Sequence, residues 1–243
     1  MEGVMPSELV SNNKSQDMNL ISRIINVFLA PSKTFQAVSE KPKWAVPLII
    51  SLLLTFGAMW LLTPVIMNEG KSAMEDKMLE RGMTSDQIDR AVEQAQKIQK
   101  ITIAPTTLVA GLVVTFIMAA IWLFISNTIL GGAAQYTQML GVVVYAGFIG
   151  LLGFLVKLPI MLSQQTMNVH FSLATFMSDT AKDTFLYKLL ANIEVFNVWT
   201  IAVYAIGIAI VAKLKVKNVW PWVLILTVLY WVAAAGLGSA FGN

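Results

Sequence analysis

The chain of 243 residues has no cysteine and a single histidine, His170. Without cysteine there is no disulfide framework, thiol nucleophile or thiolate metal ligand, and one imidazole cannot form the clusters that hold zinc or non-haem iron. No cofactor is expected. Charge is also scarce, since Asp, Glu, Lys and Arg make up 13% of the chain against roughly 25% in soluble domains. That excludes a water-soluble globular enzyme. The 17 basic and 14 acidic residues leave a net charge of +3, too small and too scattered to attract nucleic acid. Nucleophile, HExxH and P-loop motifs are missing too, and Gly236-Leu237-Gly238 lacks the third glycine and the strand context of a dinucleotide site. The chain is therefore expected not to be an enzyme.

What is abundant is apolar: 56% of residues, with a mean hydropathy of +0.68. These residues gather in five runs near or above the roughly 20 needed to cross a bilayer core of about 30 Å. The runs cover residues 46–67, 105–130, 140–162, 195–212 and 219–240. The expected fold is all-α, a polytopic integral membrane protein with five transmembrane helices. Residues 1–17 read as a disordered cytoplasmic N-terminus with no signal-peptide pattern. Residues 18–45 read as an amphipathic interfacial region, because Leu20, Ile21, Ile24, Ile25, Phe28 and Leu29 recur at helical spacing while Ser22, Arg23 and Asn26 take the other face. Packing under the membrane bundle is the competing use of that helix. The remainder, 46–243, is the five-helix membrane domain.

Lysine and arginine set the expected orientation. Arg23, Lys33, Lys41 and Lys43 precede the first run, and Lys213, Lys215 and Lys217 separate the last two. An odd number of spans puts both segments on one side, which the positive-inside bias makes cytoplasmic. The C-terminus is then extracytoplasmic, in the bacterial inner membrane, and Trp44, Trp220 and Trp222 share the inner interface. Between the first two runs, residues 68–103 hold six basic and seven acidic residues and read as an extracytoplasmic helical hairpin over 69–101. Gly82 suits the residue after its first helix. Thr84 and Gln87 form a capping box for its second.

Few residues carry candidate roles. Lys157 is the one ionisable group inside a run, near its outer end, and Glu194 opens the fourth run where a carboxylate is favoured by the helix dipole. A Lys157–Glu194 contact competes with independent snorkelling and capping. The uncharged turn with Gly131 and Gly132 reads as a tight loop or a lipid-headgroup contact. Pro47, Pro105 and Pro221 fall near helix starts, where a missing amide costs little, and Pro159 should end or bend the third span. Gly147, Gly150 and Gly153 with Ala205 and Ala209 permit close helix contact, within the chain or in a homo-oligomer.

Three segments carry a family resemblance: Leu29-Ala30-Pro31-Ser32-Lys33-Thr34-Phe35, Leu130-Gly131-Gly132 with Gln135-Tyr136, and Asn192-Ile193-Glu194-Val195-Phe196-Asn197-Val198-Trp199 leading to Ile206-Gly207. Together they resemble the bacterial branch of the Yip family, Ypt/Rab-interacting-type integral membrane proteins, from about Ile21 to the last run. An aspartate often stands in that family where this chain has Glu194. The resemblance implies the five-span plan and draws attention to Pro31, Phe35, Phe196 and Trp199. Eukaryotic relatives bind Rab-type GTPases in vesicle traffic, a pathway bacteria lack, so that partner is not carried over. The expected function is a non-enzymatic inner-membrane protein organising or assisting other membrane components, as an accessory to a transport or export complex or in envelope homeostasis. Membrane lipids and other membrane proteins, such as a transporter complex, are its expected partners. The alternative is a small-solute transporter or lipid-translocating protein with a polar path along Thr115, Ser126, Asn127, Thr128 and Asn197.

Overall fold

The computed structural model describes residues 18–169, 171–177 and 184–240, side chains at 73, 234 and 237–240 excepted. The expectations for 1–17, His170 and 241–243 fall outside the described residues. Among the described residues eight α-helices follow in order: α1 Leu20–Leu29, α2 Pro31–Glu40, α3 Ala45–Glu80, α4 Ser85–Phe124, α5 Tyr136–Gln164, α6 Phe185–Ala191, α7 Val195–Val211 and α8 Val216–Ala240. A π-type turn, Ile125–Ile129, extends α4, and a 3-10 turn, Leu173–Phe176, precedes α6.

Among the described residues, four helical stretches are long and apolar enough to cross a membrane: Ala45–Glu80, Ser85–Ile129, Tyr136–Gln164 and Val216–Ala233. Helix α7 has 17 residues, about 26 Å at 1.5 Å per residue. It is the central element, with Val203, Ala205, Ile208, Ala209 and Val211 all buried, and it packs on α2, α5 and α8.

The segment over 69–101 is not a separate unit. Helix α3 runs unbroken from the first apolar run into it, and α4 runs unbroken out of it into the second. The physical reason is that charged residues with good helix propensity continue a helix as readily as apolar ones. A left-handed Gly82, φ 75°, makes the turn, and the capping box at Thr84 and Gln87 starts α4. Ile88 and Val92 are buried in the pairing of α3 with α4. Pro105 is accordingly inside α4, not at its start, and Pro221 lies inside α8. Pro159 does not end α5, which continues to Gln164.

Small residues divide into two kinds. A Cβ on Gly141 would meet Val38 Cγ1 at 2.6 Å, and one on Gly153 would meet Phe196 Cγ at 2.6 Å. Around Gly147 and Gly150 there is nothing within 4 Å. Those two line an open groove between α3, α4 and α5 of about 300 Å³, so they make no close helix contact within the chain.

Candidate functional site

The eight candidate residues fall into three places. Pro31, Phe35 and Trp199 belong to a clasp formed by α1 and α2. Asn19 caps α1, its Oδ1 accepting from the Ser22 amide at 2.8 Å. Pro31 opens α2 at the position where its missing amide is not needed. Phe35 then enters fully between α5 and α7, with its ring tip 2.9 Å from where a Gly207 Cβ would stand. Burying a ring of that size contributes about 1.5–3 kcal/mol. Val38 lies over Gly141, the Gln138 side chain donates to the Ser39 carbonyl at 2.7 Å, and Phe28 meets Trp199 edge-on with centroids 5.9 Å apart.

Arg23 is the residue that sequence reasoning misplaced. It sits on the inner side of α1, 1% exposed, its Nε donating to the Met18 carbonyl at 3.1 Å and its Nη1 to the Lys41 carbonyl at 2.7 Å. The Tyr145 hydroxyl, which donates to the Lys43 carbonyl at 3.1 Å, lies beside the guanidinium. Thr34 Oγ1 donates to the Arg23 carbonyl at 2.9 Å, joining α2 to α1. A buried cation needs acceptors because its desolvation is costly, and here chain carbonyls supply them. The signal available in the sequence was Arg23 four residues before Val27, a pair that repeats on one helix face.

The consequence appears on the opposite face. Ile21, Ile25 and Leu29 follow one another at i, i+4 and i+8, and they are 68%, 50% and 79% exposed. The helix turns a charged and apolar edge inward. It leaves an apolar stripe outside.

Gly131 and Gly132 form the second place. Gly131 has φ 69°, a left-handed conformation that costs glycine little. A Cβ on Gly132 would stand 2.7 Å from the Ser126 carbonyl oxygen and 2.9 Å from that of Ala212. The Gly132 amide donates to Ser126 at 2.8 Å and the Ala133 amide to Ala212 at 3.1 Å. Asn127 completes the lock, its Nδ2 donating to the Ala134 carbonyl at 2.8 Å and its Oδ1 accepting from the Ala134 amide at 2.9 Å. The turn is tied to the end of α7.

Lys157, Glu194 and Phe196 form the third place, at the opposite end of α7. Lys157 Nζ lies 3.1 Å from Glu194 Oε1 and 3.0 Å from Oε2. The two side chains are 16% and 7% exposed. Glu194 is the N-cap of α7 and forms an antiparallel bridge with Ser172. Phe196 covers Gly153 of α5.

The residues suggested for a polar path have other uses. Asn197 donates to the Asn192 carbonyl at 2.8 Å, Thr115 to the Gly111 carbonyl at 2.8 Å, and Ser126 Oγ to the Leu123 carbonyl at 3.1 Å. Among the described residues there is no group of three or more His, Cys, Asp or Glu placed to hold a metal ion.

The geometry thus joins the N-terminal helices, the glycine turn and the α5–α7 pair into one construction, and similarity to known proteins extends over most of it. Membrane protein YknW of Bacillus subtilis (strain 168) is 25% identical over 205 residues, which cover 84% of each chain. No solved structure matches. The family model described as the Yip1 domain matches residues 25–238, from within α1 almost to the end of α8. This membrane protein belongs to the Yip1 domain family.

Proposed function

We propose that the protein is a non-enzymatic, five-span protein of the bacterial inner membrane that organises or assists other membrane components, with its N-terminal clasp as the working surface. The observation that carries this reading is the outward stripe of Ile21, Ile25 and Leu29 on a helix fixed from behind by buried Arg23. Apolar surface held in place is what a lipid boundary or a membrane-embedded partner recognises. The partner envisaged is a transport or export complex, or a component of envelope homeostasis. Similarity to a bacterial membrane protein supports the inner membrane.

In this reading α7 is the fourth of the five spans, its 17 residues at the short end of the usual range of about 17–25. The clasp, the glycine turn and Lys213 to Lys217 then face the cytoplasm, and the C-terminus lies outside. The hydrogen bond from Ala133 to Ala212 supports a common side for the last two. A reporter fused after Asn243 should be active only outside the cytoplasm; cytoplasmic activity would overturn the topology.

Unbiased crosslinking in cells tests the role. Recurrent capture of a specific membrane protein is the expected result. Solute or lipid flux in proteoliposomes, without any specific partner, would favour transport instead.

A further inference from the structure

Among the described residues two cavities flank the α3–α4 pair, and they differ in how many of their polar groups are already engaged. In the groove facing α5, every hydroxyl is already engaged by its own helix. Ser51 donates to the Leu48 carbonyl at 2.8 Å, Thr55 to Ser51 at 2.8 Å, Thr107 to Ile103 at 2.8 Å and Thr115 to Gly111 at 2.8 Å. That groove has no polar group free for a ligand.

The second cavity, a cleft of about 320 Å³, is different. It is bounded by Trp60, Thr63, Met67 and Asn68 from α3 and by Gln96 and Lys100 from α4, with Pro64 in its wall, and Thr63 alone among its polar side chains is engaged, donating to the Met59 carbonyl at 2.9 Å. The ammonium of Lys100, the amides of Asn68 and Gln96 and the indole N–H of Trp60 have no side-chain partner among the described residues. Lysines nearby do have one: Lys97 lies 2.7 Å from Glu93, and Lys71 lies 3.6 Å from Glu75. Pro64, inside α3, has no amide for the Trp60 carbonyl, which adds an acceptor at the same place.

The position of the cleft selects its ligand. Met67 and Asn68 mark the change from the apolar run of α3 to its charged continuation, and Lys100 marks the same change on α4. In a bilayer this is the depth of lipid phosphates, where tryptophan is favoured. One ammonium and the two amide groups suit phosphate oxygens. The local charge is six basic against seven acidic residues over 68–103, so no diffuse basic field explains attraction there.

We propose that the α3–α4 cleft binds the phosphate of a membrane phospholipid, with Lys100 on the phosphate and Trp60 and Met67 along the first acyl carbons. This rests on α3 and α4 crossing the membrane and not on the accessory role of the clasp. The crosslinking experiment can therefore fail while this one succeeds, and the reverse.

The test is native mass spectrometry of the full chain titrated with phosphatidylglycerol, alone and with glycerol 3-phosphate as soluble competitor. One lipid should be retained in preference to others, and Lys100→Gln should weaken its retention by roughly tenfold, the scale of one charge-assisted hydrogen bond. Lys97→Gln, three residues away and paired with Glu93, should bind as the parent does. Trp60→Leu gives a second reading from the apolar side and should weaken retention without changing the charge. Circular dichroism and gel filtration establish that each variant is folded. Equal loss in Lys97→Gln and Lys100→Gln would overturn the site in favour of general charge attraction. Displacement of the lipid by millimolar glycerol 3-phosphate would overturn the lipid commitment, and unchanged retention in both Lys100→Gln and Trp60→Leu would overturn the proposal altogether.

Discussion

Helices α5 and α7 and the pair α3 and α4 are all apolar in their central turns, yet they are packed very differently. Residues 141–146 of α5 are buried without interruption, whereas Ile49, Leu53 and Leu61 of α3 and Val109, Val113 and Ile117 of α4 are exposed. The difference lies in what stands opposite. The clasp inserts Phe35 and Val38 between α5 and α7, and glycine there is a space for a neighbour. On α3 and α4, Gly57 and Gly111 face nothing within 4 Å. One half of the molecule is fixed by its own side chains, and the other is left for the membrane to cover.

The largest effect that could break this contrast lies at the far end of α7. Lys157→Met should destabilise the fold by about 3 kcal/mol, because Glu194 is left charged and enclosed; the double variant Lys157→Met with Glu194→Leu should recover most of the loss. Thermal unfolding in detergent checks both. Gly207→Leu comes next, with a cost of about 1–3 kcal/mol from forcing a side chain against Phe35 and Val142. Gly111→Leu, the same change in the open half, should leave the unfolding temperature unaltered. Equal responses from the two glycines would abolish the distinction between the halves.

Smaller effects sharpen it. Thr84→Ala removes the capping box of α4 and should cost about 1 kcal/mol, read as faster amide exchange confined to the turn between α3 and α4. Trp122 is the reverse case. Its ring is buried against Tyr204, and its Nε1 has no acceptor among the described residues. Trp122→Phe should therefore be neutral or slightly stabilising, since the variant no longer buries an unmet donor.

Hydropathy was enough to find the membrane class, and local chemistry enough to find the Thr84 capping box and to leave Lys157 and Glu194 either paired or separately solvated, of which the structure has them paired. Those features depend on residues whose alternatives are few: a cap needs its partner three positions on, and an ionisable group in an apolar helix needs a counter-charge or an exit to water. The sense of α1 was not legible. Periodicity gave its apolar stripe correctly, but amphipathicity does not say which face points inward when a membrane surrounds the protein. Arg23 could turn inward because the carbonyls of Met18 and Lys41 converge on it, and that convergence belongs to the tertiary fold. Glycine was illegible for a similar reason. Gly147 and Gly153 have the same sequence context of apolar helix, and only the arrival of Phe196 separates them.

The central claim is that α1 is locked from behind and presents its stripe outward. Site-specific photocrosslinking in cells, with the probe placed in turn at Ile25 and at Val27, tests it most directly. The account predicts intermolecular adducts with lipid or a membrane protein from position 25, and only intramolecular products from buried position 27. Equal intermolecular capture from both positions, or none from position 25, would contradict it.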